Sequence, residues 1–196
     1  KLKIKCWLYD EYNFPSGYAG GKVPALGEKY WQKALTFSIS KRKKEFADLI
    51  SAYSMTRGKV SVNLIVNPIF ADRNNYIFKK ITGADIEQEI NNGNDIVYLF
   101  VEKAKTGSKY FNGYCYVDIL NKKTVDAFLR YTHEKYYNDF KNEFGETIPG
   151  IFTDEPSILY YPDFPENSLP WSDGLLNLFE KRNGYKLEDN LIYLFF

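Results

Sequence analysis

Two runs, KLKIKCWLY at 1–9 and the short apolar stretch IPGIF at 148–152, each lead into an acidic pair, and each pair opens a loop containing proline. The pairs are Asp10-Glu11 in WLYDE and Asp154-Glu155 in IFTDEP. Both runs are expected β-strands. In folds built on parallel strands, ligands sit at the strands' carboxyl ends, where side chains from different strands converge. Adjacent residues of a strand point to opposite faces, so in each pair one carboxylate faces a site and its neighbour faces structure. The pairs are far apart in the chain, and only tertiary structure can bring them together.

Elsewhere the periodicity changes along the sequence. ALTFSIS at 34–40 alternates as a half-buried strand. KVSVNLIV at 59–66, YIFKKIT at 76–82 and DIVYLFV at 95–101 are also expected strands, with NNGN at 91–94 as a turn. In KRKKEFADLISAY the residues Phe46, Leu49, Ile50 and Tyr53 fall at helical spacing and predict a helix. The span 35–110 is therefore expected to be an inserted, mainly antiparallel β-rich segment. After it, Asn121 is expected to cap one helix carrying Val125, Phe128, Leu129, Thr132, Tyr136 and Phe140 on one stripe, stopped by Gly145. Ser172 is expected to cap a second helix closed by Gly184, and a last short helix is expected from Asp189. Helix, strand, loop, helix is the order of an α/β fold with a parallel sheet.

Charge and composition remove several classes. The 26 Lys+Arg against 25 Asp+Glu give a net charge of +1, so no electrostatic argument favours a nucleic-acid or anionic-membrane partner. No apolar run reaches the roughly 20 residues of a membrane helix. Cys6 and Cys115 have no metal-site spacing and are too few for a disulfide framework. The sequence opens on Lys1, which is compatible with an excerpt of a larger parent chain, and leaves a cytoplasmic or a secreted bacterial location open. Aromatics, by contrast, are abundant: 17 Tyr, 15 Phe and 3 Trp. Tyr and Trp offer faces on which sugar rings stack, and Trp7, Tyr12, Phe14, Tyr160, Tyr161 and Trp171 all lie near the acidic pairs in sequence.

Carboxylates from separate strands are what glycoside hydrolysis uses: one stays protonated to serve the leaving oxygen, while the other stays ionised to activate water or attack the anomeric carbon. The bland alternative is that these acids cap helices or form structural ion pairs. Asp10, Glu11, Asp154 and Glu155 would also suit a hard divalent cation such as calcium, although no metal site or other cofactor is expected. His133 sits near the helical stripe, where a structural role competes with a hydrogen bond to substrate. Gly17, Gly20 and Gly21 lack the spacing of a phosphate loop and read as a rigid, close-approach loop.

At these residues a resemblance appears. LYDEYNFPSGYAGGKV, then YVDILNKKTVDAFLRYTHEKYYNDFKNEFGETIPGIFTDEP, then SLPWSDGLLNLFEKRNGY resemble three ordered blocks of bacterial glycoside hydrolases similar to the α-L-rhamnosidase families. The resemblance implies a partial TIM-type (β/α) barrel formed by 1–34 and 111–196, with 35–110 inserted. A whole barrel takes about 250 residues. It also implies a glycosidase acting on an oligo- or polysaccharide, with Glu11 and Glu155 as the catalytic acid and its carboxylate partner. Asp10, Tyr12, Trp7, Asp154, His133 and Trp171 would contact or support substrate. A non-catalytic carbohydrate-binding module, using its aromatics alone, is the rival reading.

Overall fold

The computed structural model describes residues 4–58 and 76–196, and the strand expected at 59–66 lies outside the described residues. Two compact units form: 1–34 with 103–173, and 35–102 with 174–196.

In the first unit, β1 (Leu8–Tyr9) pairs in parallel with β6 (Ile151–Phe152), in the register Leu8↔Ile151 and Tyr9↔Phe152. Two helices follow the chain toward β6: α2 (Lys122–Tyr131) and α3 (His133–Phe140). Asn121 caps α2 as its sequence predicts, its side chain accepting the Lys123 N–H at 3.0 Å. The single helix expected from Asn121 to Gly145 is instead broken at Thr132 (φ −117°, ψ −82°). There the Thr132 hydroxyl donates back to the Phe128 carbonyl at 2.7 Å, a local bond that competes with helix continuation and bends it. α3 then ends at Phe140 and passes through a 3-10 turn, Lys141–Glu143, before Gly145 is reached.

The core of this unit is aromatic. Tyr18, Phe111, Tyr116, Val117 and Phe128 are buried together, with the Tyr18 and Phe111 rings edge-on at 5.1 Å. The Tyr116 hydroxyl donates to the Ser16 carbonyl at 2.6 Å and accepts the Ser157 N–H at 3.1 Å, so one buried phenol ties the loop after β1 to the loop after β6. A second anchor is the Lys33 ammonium, 3.1 Å from Asp173 and 4.0 Å from the buried Asp118 carboxylate, which also accepts the Ser172 hydroxyl at 2.7 Å. Ser172 is thus not a helix cap. Gly174, in the left-handed region at φ +86°, precedes α4 instead.

The second unit is a β-sheet with short helices, one of which buries Ile86 against sheet residues Ala52, Ile81, Ile96 and Tyr98. Its strands β2 (Lys33–Ser40), β3 (Leu49–Arg57), β4 (Tyr76–Ile81) and β5 (Asp95–Lys103) stand in the order β4-β3-β5-β2. β3 runs antiparallel to both β4 and β5. The helix expected over 41–53 does not form, because Ser51–Met55 are buried at every position and Ala52–Met55 are backbone-paired on both edges. The stripe has no shared face: Phe46 stacks on Phe100 at 4.1 Å from outside the strand, Leu49 is exposed, and Ile50 sits at a bulge where the register shifts. Turn chemistry before β5 carries a short helix that alternation did not predict, α1 (Ile86–Asn91). α4 (Leu175–Asn183) closes at Gly184 in the left-handed region (φ +78°), whose N–H reaches the Glu180 carbonyl. A 3-10 turn, Leu191–Leu194, replaces the last predicted helix and buries Leu191 and Ile192.

The expected partial (β/α) barrel is therefore overturned: the architecture is mixed and sheet-rich, with a large antiparallel sheet and one small parallel pair, and no barrel pattern. A parallel barrel repeats strand, crossover helix, strand. Here β1 and β6 are separated by the whole β-rich span as well as by α2 and α3, and they share two residue pairs. β7 (Leu169–Trp171) is a further short strand. Among the described residues no helix is long and apolar enough to cross a membrane.

Candidate carbohydrate site at the ends of β1 and β6

The parallel register of β1 and β6 makes 10–11 and 153–155 leave the sheet from the same edge. Asp10 is the junction there. Its Oδ1 accepts the Ser16 hydroxyl and its Oδ2 the Thr153 hydroxyl, both at 2.7 Å, and His133 Nε2 stands 3.7 Å from Oδ2. Ser16 completes the link: its oxygen accepts the Asp154 N–H at 2.9 Å, and its own N–H donates to the Asp154 carbonyl at 2.7 Å. His133 is oriented from its other side. Because the Thr132 proton is used on Phe128, the 2.9 Å contact with His133 Nδ1 is Nδ1–H donating to Thr132, which turns Nε2 toward Asp10.

Glu11 takes up a different kind of partner. Oε1 accepts the N–H groups of Tyr12 and Gly20, both at 2.9 Å, and Oε2 those of Gly17 at 3.1 Å and Ala19 at 3.0 Å. Ala19 and Gly20 lie in the left-handed region (φ +50° and +59°), which turns successive N–H groups inward as an anion-binding concavity. Burial pushes the Glu11 carboxyl above its ordinary value, and the four N–H groups pull against that rise. The residue is a tie for the loop, with no oxygen left over for a reacting group.

Asp154 is half-buried and accepts the Tyr9 hydroxyl at 3.0 Å. Desolvation first, then the hydrogen bond and charge of Asp154, push the Tyr9 phenol up to about 12. An unfolded tyrosine ionises near pH 10. The stability linked to Tyr9 is thus fully present below pH 10 and is lost as pH rises through about 12. In a phenolate absorbance titration, the difference between wild type and Tyr9→Phe is expected to show a midpoint near 12. A midpoint near 10 would remove the Tyr9–Asp154 bond from the solution structure.

A cleft of about 500 Å³ opens beside these groups, with Asp10 and Glu11 at its floor. Tyr9, Tyr12, Tyr131, Tyr136 and Phe140 surround it, and Lys22, Asn112, Lys135 and Asp139 complete its rim. Tyr12 is strongly exposed there and free to meet a ligand. Glu155 lines another cleft, of about 380 Å³, with Phe14, Pro15, Pro156, Leu159 and Tyr160. Its carboxylate is exposed and its backbone sits at φ +41°, a conformation uncommon outside glycine.

The structure therefore brings Asp10, Glu11, Tyr12, Asp154 and His133 to one region, while Glu11 and Glu155 line separate clefts. Trp7 is exposed, packs against Gly150 and lines neither cleft. Trp171 is buried, with no face for a sugar. Sequence reasoning missed Ser16, Tyr9, Tyr131 and Lys135. Ser16 had a signal, the PSG after the acidic pair; the others sat on elements read as core. Among the described residues, no three His, Cys, Asp or Glu side chains are placed to share a metal ion. Comparisons with protein-family models, with curated proteins and with solved structures find no match to this chain.

Proposed function

We propose that this chain is the carboxylate-bearing part of a glycoside hydrolase, which holds an oligo- or polysaccharide in the tyrosine-lined cleft and cleaves a glycosidic bond by acid–carboxylate chemistry. The observation that carries this reading is the parallel pairing of β1 and β6, from whose common end both acidic pairs emerge, Asp10 and Glu11 lining a cleft walled by aromatic rings and Glu155 lining a second cleft. The work divides among the four acids. Asp10 and Glu11 are committed to hydroxyl and amide donors and hold the site together. Asp154, which accepts the Tyr9 hydroxyl, is assigned as the carboxylate partner, and the exposed Glu155 beside it as the acid of the pair. By the sequence resemblance, rhamnosides come first among substrates.

A second reading is favoured by Glu11 itself. With its oxygens filled by four N–H groups, one member of the expected catalytic pair is withdrawn from chemistry, as in a module that binds sugar without cleaving it.

Assaying the 196-residue chain on a panel of aryl glycosides and oligosaccharides, with binding followed in parallel by NMR shifts, separates the two. Hydrolysis that falls by about 10²–10⁴ in Glu155→Gln, with binding retained, is the expected result. Turnover at the wild-type rate in that variant removes Glu155 from the chemistry, and binding with no turnover in wild type leaves the module.

A further inference from the structure

The rim of the tyrosine cleft carries two ammonium groups from different elements: Lys22, which follows the Ala19–Gly21 turn, and Lys135 on α3. Lys22 stands 6.0 Å from the centroid of the Tyr131 ring, which holds it over the cleft wall. Neither lysine has a carboxylate within salt-bridge distance among the described residues, although Asp139 lies on the same helix as Lys135 and on the same rim. The two acids below are already answered, Asp10 by two hydroxyls and Glu11 by four N–H groups, and both are buried. A ligand at the rim of the cleft thus meets aromatic faces, the exposed acid Asp139 and two cations without an ion-pair partner among the described residues, with the two buried, hydrogen-bonded acids beneath.

From this we infer that the cleft selects an acidic saccharide, with a uronate carboxylate seated between Lys22 and Lys135 and the sugar ring against the tyrosines. The inference rests on the sugar-binding reading above and adds the charge of the substrate to it. The carboxylate adds what two solvent-facing charge contacts supply, about tenfold in affinity. The advantage shrinks as ionic strength rises, because both cations are exposed.

The test uses short oligosaccharides of galacturonate, glucuronate and mannuronate, each paired with its neutral methyl ester, titrated into the chain by calorimetry at low and at physiological salt. One acid form is expected to bind about tenfold more tightly than its ester, with the difference lost in Lys22→Gln/Lys135→Gln. Both substitutions fall on exposed side chains, and an unchanged near-ultraviolet circular dichroism spectrum confirms that the variant is folded. Equal affinity for acid and ester overturns acid selection and leaves sugar binding standing. If the acids, their esters and neutral oligosaccharides all fail to bind, both readings fall.

Discussion

Glu11→Gln is expected to melt the loop at 12–21 and to lower the stability of the first unit by about 2–4 kcal/mol, read from the urea midpoint. The two side chains have nearly the same shape, so the effect isolates what the second oxygen does. Glutamine keeps one acceptor for two of the four N–H groups and presents an NH₂ to the other two, leaving donor facing donor where Glu11 now accepts Gly17 and Ala19. Amide exchange gives the finer readout, with protection at Gly17, Ala19 and Gly20 dropping together. Glu155→Gln is the control, within about 0.5 kcal/mol of wild type because its carboxylate is exposed. If the three loop amides stay protected in Glu11→Gln, the carboxylate does not organise the loop. Since this loop supplies Tyr12, Ala19 and Gly20 to the cleft and leads directly into Lys22, the same variant should also lose sugar binding, for reasons unrelated to bond cleavage.

That distinction between an acid that reacts and an acid that builds could not be read from sequence. Asp10-Glu11 and Asp154-Glu155 are the same dipeptide after the same kind of apolar run, and alternation says only that each pair splits between two faces. What decides Glu11's role is a loop of left-handed residues folding back so that its amides converge on one carboxylate. The glycines gave part of this away. Gly17 and Gly21 are close-approach positions, where an added Cβ would come within 3.1 Å of the Tyr116 hydroxyl and 3.0 Å of the Tyr114 ring. That the Gly17 and Gly20 amides serve a carboxylate has no counterpart in spacing.

Local signals fared as their physics suggests. Alternation located β2, a nearly continuous apolar run located β5, the stretch YIFKKIT located β4, and Asn121 and Gly184 marked helix ends, because each of those features is decided within a few residues. β3 was misread for the opposite reason. Leu49, Ile50 and Tyr53, with Phe46 just before the strand, happen to match helical spacing, and pairing with β4 and β5 outweighed that pattern. The break at Thr132 is subtler still. Tyr136 and Phe140 continue the periodic stripe of α2 on paper, yet both are exposed, and they wall the cleft because the chain changes direction before them. A continuous helix would have had no reason to offer them to a ligand.

Asp10→Ala is expected to cost about 2–4 kcal/mol, because it removes the group on which three separate segments meet. The Ser16 and Thr153 hydroxyls would each lose an acceptor in a place where Asp10 is almost wholly buried, and His133 Nε2 would face a void. Double-mutant cycles apportion the effect. Asp10→Ala with Ser16→Ala, and Asp10→Ala with Thr153→Val, should each show coupling of about 1 kcal/mol or more, as expected for hydrogen bonds to a charged acceptor. Ser16 should give the larger value, because its oxygen also accepts the Asp154 N–H and its loss loosens both loops at once. A coupling near zero for Thr153 would mean that the strand ends are held in place by the backbone pairing of β1 and β6 alone. In that case Asp154 and Glu155 would keep their positions without Asp10, and the carboxylate at the end of β1 would be free for a role in the chemistry. The cycle thus weighs the structural assignment of Asp10 directly against the catalytic one, using stability alone and requiring no substrate.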